Sequence, residues 1–437
     1  MSKRKKWTIG IGLLCATALL IGGYLYQKNK VMVLEVGIFA GSNWDVANAN
    51  SYVIIDKAIE KFEAEHKNVK VHYYSGIRKE DYSEWFSRQL LRGKEPDVFM
   101  VLGEDFNQFA EIGVMKDLEL LMANDSDFQA DNYYSTTLQA GQYGGRQYAL
   151  PYETVPTLMF VNKSLLNKEG LFVPDNDWTW DDLYQICQRV TKDKDGDGIL
   201  DQFGTYNYGW TEAAYSNGAV LFDENGTESY FNDDKVTEAV RFTKQIAGLN
   251  QMQKVTRDDF DGGKVAFMPL PFTEYRTYKT YPYKIKKYTK FQWDCITLPA
   301  GKDGSNTSVI NTLLMGISNH TDKERLAWEF LKLLTYDEEI QMDLFRYSQG
   351  VSVLKSVTES KEAEEILQAD MEKNEKFIDN ELVSSVIENG VVTPKFPKYE
   401  DAVMMADNEI NRMIEDDDNI ENSMRILQRQ VGQYLRR

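Results

Sequence analysis

Pro96-Asp97-Val98-Phe99-Met100-Val101-Leu102 is the stretch that decides the fold. Its five consecutive apolar residues are too few for a buried helix and do not alternate with polar ones, which is how a strand covered on both faces reads. Such strands belong to largely parallel sheets with helices on either side. The flanking sequence agrees. Upstream, Val31 to Phe39 is an apolar-rich strand, and Ser51 to His66 places Ile55, Ile59 and Phe62 at i, i+4 and i+7, a helix with one buried stripe. Val69, Val71 and Tyr73 alternate as a second strand, and a helix carrying Trp85 and Phe86 stops near Gly93. The order β-α-β-α-β predicts an α/β lobe with a mainly parallel sheet.

A second unit is expected after Tyr148-Ala149-Leu150-Pro151, with Thr157 to Val161 as strand. Thr179 then reads as the N-cap of a helix reaching Lys192, with Leu183, Cys187 and Val190 on one face. Gln292 to Pro299 and Thr312 to Ile317 read as strands. Thr321-Asp322-Lys323-Glu324 reads as a capping box opening a helix that buries Ala327, Phe330, Leu331 and Leu334. The chain closes on a helix with Ile420, Met424, Leu427, Val431 and Tyr434 in one stripe. Glu415 to Asp418 sit near its positive end and Arg436-Arg437 at its negative end.

With 437 residues, 42% of them apolar, the chain has core enough for two or three domains. Six of its 50 Lys and Arg lie in residues 1–30, which hold no acid, so the rest sets 44 cations against 68 acids. A body that acidic is repelled by nucleic acid. Lys3, Arg4, Lys5 and Lys6 precede an uncharged run from Trp7 to Tyr26, long enough to span a bilayer and oriented by those cations with the body outside. Two readings stand for residues 1–30: an uncleaved anchor, or a lipidated or cleaved signal. Cys15 sits mid-run behind Leu14 instead of at a lipobox position. Cys187 and Cys295 show no framework spacing and read as buried thiols before they read as a disulfide. His66, His72 and His320 are too scattered for a zinc site or a catalytic triad.

The order of short segments resembles the extracellular solute-binding proteins of sugar ABC importers, the group that includes maltose-binding protein. The resemblance spans about residues 33–437. It rests on Phe62-Glu63 before Val69-Lys70-Val71, on Pro96-Asp97-Val98, and on Tyr148-Ala149-Leu150-Pro151 with Asn162-Lys163, Gly170 and Trp180. Later pieces are Asn217-Gly218, Gly263-Lys264-Val265-Ala266-Phe267-Met268 and Ala327-Trp328-Glu329-Phe330-Leu331. The resemblance implies a two-lobe α/β clamp of the class II periplasmic-binding type, with discontinuous lobes and a hinge crossed three times. The crossings are expected near Pro151 to Thr157, Pro299 to Gly301 and Gly350 to Leu354, giving lobes of 33–152 plus 302–351 and 156–299 plus 354–437. It also implies a monomeric body that passes a sugar or oligosaccharide to ABC permease subunits at the outer face of the membrane, with no organic cofactor.

A sugar presents C–H faces and hydroxyls, so its site needs aromatic platforms beside Asp, Glu, Asn or Arg. Loops at strand C-terminal ends offer Asn43 and Trp44, Glu104 and Asp105, and Asn311 precedes the strand returning to the first lobe. By the resemblance, Glu153 contributes from the first crossing, Tyr208 and Trp210 from the stretch before Asn217, and Phe272, Tyr275 and Arg276 from the stretch after Met268. Core rings, helix N-terminal acids and a hinge ion pair are the plain structural alternatives for these residues.

Asp193, Asp195, Asp197 and Asp201 stand at positions 1, 3, 5 and 9 of a calcium-type loop, with Gly198 at position 6 and the Ile199 carbonyl at 7. Gly204 occupies position 12, where an EF-hand has a bidentate Glu, so the choice is between a structural Ca²⁺ site of non-EF type and a solvated acidic turn. No GxSxG, HExxH or Walker A signature accompanies these residues, which sets an enzyme aside. An anchored receptor signalling without transport uses the same clamp and is the second reading.

Overall fold

In the computed structural model, residues 31–44, 50, 52–251, 253–280, 291–369, 378–416 and 419–437 are described, and the expected anchor, residues 1–30, lies outside them. Strand β1 (Met32–Gly37) lies between β2 (Val69–Tyr73) and β3 (Val98–Val101) and is parallel to both. All four residues of β3 are buried, as its unbroken apolar run requires. Helix Val53–Glu65 connects β1 to β2, and helix Lys79–Leu91 connects β2 to β3. Phe86, from the second of these, packs 4.4 Å from Phe99 and 5.1 Å from Phe109, ring centre to ring centre. A side chain of that size, fully buried, stabilises the fold by about 2–3 kcal/mol.

Asp97 explains the Pro-Asp-Val segment. Its carboxylate accepts from the Glu35 N–H on β1 at 2.8 Å, the Thr321 hydroxyl at 2.5 Å and the Lys323 ammonium at 2.8 Å. A buried carboxylate needs such a set of donors. The capping box expected at Thr321 does not form, because that hydroxyl donates to Asp97 and accepts from the Lys323 N–H; helix Glu324–Tyr336 starts behind Lys323 without a side-chain cap. At Thr179 the box is complete, with Asp182 as its partner, and helix Trp180–Val190 buries Leu183, Cys187 and Val190. Cys187 and Cys295 are both buried, with no disulfide between them.

Beside β3 runs β10 (Ile310–Ile317), antiparallel, and beside β10 runs β6 (Ala149–Asn162), also antiparallel. β6 is one continuous strand where the sequence reading placed a boundary. Its first half, to Pro156, pairs with β10, while its second half pairs with β8 (Val265–Pro271) on one side and β9 (Trp293–Ile296) on the other. β7 (Phe203–Thr205) completes the sheet, parallel to β8. Two prolines inside a central strand need an irregularity. The register shifts between Leu313 and Leu314, opposite Glu153 and Pro151, which leaves Tyr152 unpaired as a bulge. A small hairpin, β4 (Gln142–Tyr143) and β5 (Arg146–Gln147), stands apart.

Two apolar cores lie along β6, whose second half gives Leu158 and Phe160 to the first and Met159 and Val161 to the second. The first gathers Phe62, Phe86, Phe99 and Leu331 around β1, β3 and β10. The second gathers Trp178, Trp210, Phe231, Phe267 and Met424. Two of the expected crossings shift. Residues near Pro299 to Gly301 stay with the second lobe, where Ala300 bridges to Thr179 and the Gly301 N–H donates to the Ser216 carbonyl; the crossing falls near Ser308 to Asn311. The segment after Gly350 also remains with the first lobe. Val351 bridges to Thr154, and Val357, Leu367, Val383 and Ile387 pack into the first core. The last crossing is at Val391, which bridges to Val309, and Phe396 is the first residue after it in the second core. The apolar stripes of helices Lys361–Ala369 and Asn380–Glu388 cover the first lobe, where Thr136 donates to the Ile387 carbonyl at 2.6 Å.

Candidate functional site

A cleft of about 800 Å³ opens between the two cores. The loops that follow β1, β2, β3 and β8 all end in it, as expected of ligand sites at strand C-terminal ends. One wall carries Asn43 and Trp44 after β1, Lys79 and Glu80 after β2, and Leu102 to Glu104 after β3. The floor is Val155 of β6 with Ile310 to Thr312 of β10. Thr273 and Glu274 face the first wall from beyond β8, and the segments Thr393–Pro397 and Tyr399–Asp401 complete the second wall. A second cleft, between Phe172–Asn176 and helix Asn380–Glu388, lies at other residues and receives none of those loops.

Asn43, Trp44, Glu104 and Asn311 are thus brought together around one cleft. Lys79 orders their loop by donating to the Asn43 carbonyl at 2.6 Å, and the Trp44 N–H donates to the Ser42 hydroxyl at 3.0 Å. Glu104 accepts from the Ser83 hydroxyl at 3.2 Å, and Glu400 faces it from the other wall. Partial burial, with the Glu104 charge, raises the Glu400 carboxyl above the usual range, against the pull of Lys79. Closing this cleft therefore presses like charges together, and a ligand that separates or bridges them relieves that repulsion.

The remaining expected contacts lie outside the lining. Asp105 is turned away, accepting from the Ser83 hydroxyl at 2.6 Å, and burial raises its carboxyl. Tyr208 is buried in the second core, and Trp210 packs 5.9 Å from Phe231 while its indole donates to Asp407 at 3.1 Å. Phe272 and Tyr275 stack on each other at 5.5 Å, both buried. Arg276 donates to the Phe345 carbonyl at 2.5 Å and the Gly350 carbonyl at 3.3 Å, fastening helix Phe272–Thr280 to the first lobe. For these residues the plain structural alternative is what the fold displays. Large rings and a planar cation fill cores and bind carbonyls as readily as they bind sugars.

Glu153 sits under the cleft rather than in it. It accepts from the Ser348 hydroxyl and from the Gly350 N–H at 2.8 Å. Burial pushes its carboxyl up, against the lowering effect of Ser348, the nearby Trp44 indole, the Gly350 N–H and the Arg276 charge. It therefore ties the crossing strand to the segment after helix Glu338–Tyr347.

Sequence reasoning missed Lys79, Glu80, Thr273, Glu274 and the whole Thr393–Asp401 wall. A signal for the last existed in Pro394-Lys395-Phe396-Pro397, two prolines bracketing a break between helices.

In the acidic loop the carboxylates of Asp193, Asp195 and Asp197 converge, with one oxygen from each within 4.8 Å of the others. The Asp193 carboxylate accepts from the Gly198 and Gly196 N–H groups, which hold its carboxyl below the usual range. Gly196 and Gly198 have φ of 79° and 89°, the left-handed backbone that such a tight turn demands. Asp201 is diverted from the triad, accepting from the Lys194 N–H at 2.7 Å, and the Ile199 side chain is exposed.

The fold matches solved structures over nearly all of each chain. A sugar-binding protein of Xanthomonas citri aligns with a TM-score of 0.75 at 15% identity, covering 92% of this chain and 97% of its own. The cyclic α-maltosyl-1,6-maltose-binding protein of Arthrobacter globiformis aligns at 0.74 and 15%, covering 92% and 99%. An ABC substrate-binding protein of Listeria monocytogenes, solved with cycloalternan, aligns at 0.64 and 20%, covering 92% and 98%. At these identities the likeness speaks for the two-lobe fold. The family model described as bacterial extracellular solute-binding protein matches residues 47–341, about two thirds of the sequence, and the chain belongs to that family.

Proposed function

We propose that the chain captures a sugar or oligosaccharide between its two lobes and hands it to the permease subunits of an ABC importer. The observation that carries this reading is the cleft itself, where loops from both cores and the crossing strands supply Trp44, Tyr399, Asn43, Asn311 and several carboxylates to one space. Rings for stacking and acceptors for hydroxyls are what a saccharide needs. The ligands of the similar proteins, cyclic maltosyl-maltose and cycloalternan, point the same way. The lobes already touch across the cleft's edge, where the Asn107 side chain donates to the Glu224 carbonyl at 2.8 Å and the Gly144 N–H donates to the Glu224 carboxylate at 3.0 Å. Hinge closure of this kind turns binding free energy into a shape that a membrane partner reads.

Residues 1–30 would tether the body to the outer face of the membrane, as an uncleaved helix or as a lipidated or cleaved signal. Among the described residues no helix is long and apolar enough to cross a membrane. We also propose a structural Ca²⁺ held by Asp193, Asp195 and Asp197, whose converging oxygens suit a hard cation, with the Ile199 carbonyl as a further donor. A thermal-shift screen of the full chain against carbohydrates, with and without calcium, tests both proposals. A ligand that prefers the folded state raises the midpoint. A midpoint that no saccharide moves overturns the capture reading.

A further inference from the structure

Lys395 is the one feature of the cleft that a neutral sugar leaves unexplained. It lies between two prolines in the segment that has just crossed from the first lobe to the second. Its own carbonyl accepts from the Asn107 N–H at 3.3 Å, which pins its backbone against the first lobe. Its ammonium lies 5.8 Å from the centre of the Phe106 ring, a buried member of the first core. Among the described residues no carboxylate forms an ion pair with it, although Glu80, Glu104, Glu274, Glu400 and Asp401 line the same cleft. Four of those acids have other surroundings: Glu274 pairs with Arg257 at 3.1 Å, Asp401 accepts from the Tyr434 hydroxyl at 2.7 Å, and Glu104 and Glu400 face each other near Lys79.

Burial alone lowers the Lys395 ammonium to about 8, so the group remains mostly charged at pH 7 at a standing cost. The neighbouring lysines are settled differently. Lys79 binds the Asn43 carbonyl, and Lys398 binds the Tyr434 and Leu435 carbonyls at 3.4 and 3.0 Å. A cation held on a ring in a ligand cleft, with its counter-charge missing, is completed by a ligand anion.

Building on the saccharide reading of the cleft, we propose that Lys395 selects a sugar bearing a carboxylate, a uronic acid unit, and binds that carboxylate directly. One unpaired cation balances one negative charge. A phosphate ester, with close to two charges, would meet repulsion from Glu104 and Glu400 across the cleft. Lysine also offers a point charge rather than a planar fork, which suits a single carboxylate oxygen beside a stacked ring.

The test is calorimetric titration of the full chain with paired ligands, in which uronic acid oligosaccharides are matched to neutral oligosaccharides of the same linkage and to a sugar phosphate. The acidic member should bind roughly 10- to 100-fold more tightly than its neutral partner, the span of one charge-assisted hydrogen bond. Lys395→Gln should shrink that ratio toward one, while Lys395→Arg should keep most of it; the melting midpoint of each variant establishes that it is folded. A neutral or phosphorylated member binding as well as or better than the uronate overturns the inference and leaves the saccharide reading standing, as does a ratio that survives in Lys395→Gln. If no saccharide of any series binds, the capture reading falls and this one falls with it.

Discussion

The two walls of the cleft were built by different parts of the chain logic. The first wall consists of loops directly following β1, β2 and β3, most of whose side chains end in the space above the sheet, Asp105 being the one expected contact turned away. Its expected residues Asn43, Trp44 and Glu104 are there. The second wall was expected from the aromatic stretch before Asn217 and the one after Met268, yet Tyr208, Trp210, Phe272 and Tyr275 are core. Its place is taken by Thr393–Pro397 and Tyr399–Asp401, from a part of the chain more than 100 residues further on. Position at a strand end is a geometric fact that survives translation into structure, whereas ring content is shared by cores and binding sites.

That difference is sharpest at two tryptophans. Trp210 is 2% exposed and holds the Asp407 carboxylate, so Trp210→Ala should cost about 3–5 kcal/mol of stability in urea unfolding, by cavity formation and by loss of that donor. The affinity of whatever protein remains folded should change little. The contrast between the walls breaks if Trp210→Ala removes binding at near-normal stability. Trp44 is the counterpart. It lines the cleft and is only half-buried, so Trp44→Ala should weaken saccharide binding by about 2 kcal/mol, roughly 30-fold, for about 1 kcal/mol of stability. Calorimetry beside denaturation curves separates the two outcomes. If Trp44→Ala leaves affinity intact, the first wall is scaffold as well.

What could be read in advance follows from how local each determinant is. The β1 to β3 unit was legible because an unbroken apolar run, a helical stripe and an alternating strand each carry their own period. Thr179 was legible as a cap because its partner Asp182 is three residues away. Thr321 carried the same signal and failed, since Asp97, 224 residues earlier, takes its hydroxyl. The crossings near Ser308 and Val391 were misplaced for a similar reason. Which core receives helix Asn380–Glu388 depends on Thr136 and on Tyr134 with its neighbours, which no local pattern names. Lys395 was invisible because its character comes from Phe106 and Asn107 in the other lobe.

Glu153 tests whether the first wall is coupled to the crossing strand below it. Its carboxyl titrates higher in the folded chain than in the unfolded one, so the fold holds the proton more tightly. By linkage, this group's contribution to stability is greatest below the unfolded carboxyl value and is lost as pH rises through the folded one. Glu153→Gln removes that titration, so the stability of the variant relative to wild type should rise between pH 4 and 7, read by urea midpoints at several pH values. A constant difference across that range would mean that the Ser348, Gly350 and Arg276 contacts cancel burial, and a falling one that they outweigh it.

The smallest effect should come from the acidic loop, which belongs to the second lobe but not to its cleft wall. Extracellular calcium sites of this type bind at about 10⁻⁴ to 10⁻³ M, so a few millimolar Ca²⁺ should add about 1 kcal/mol and raise the melting midpoint by a few degrees. Asp193→Asn should abolish the shift, because Asp193 supplies one of the three converging oxygens. Asp201→Asn should leave more of it, since Asp201 faces the Lys194 N–H. Saccharide affinity should be the same with calcium or a chelator, as the loop contributes no residue to the cleft. A calcium-dependent affinity would mean that the second wall, unlike the first, is set by the stiffness of the lobe behind it rather than by where its own segment ends.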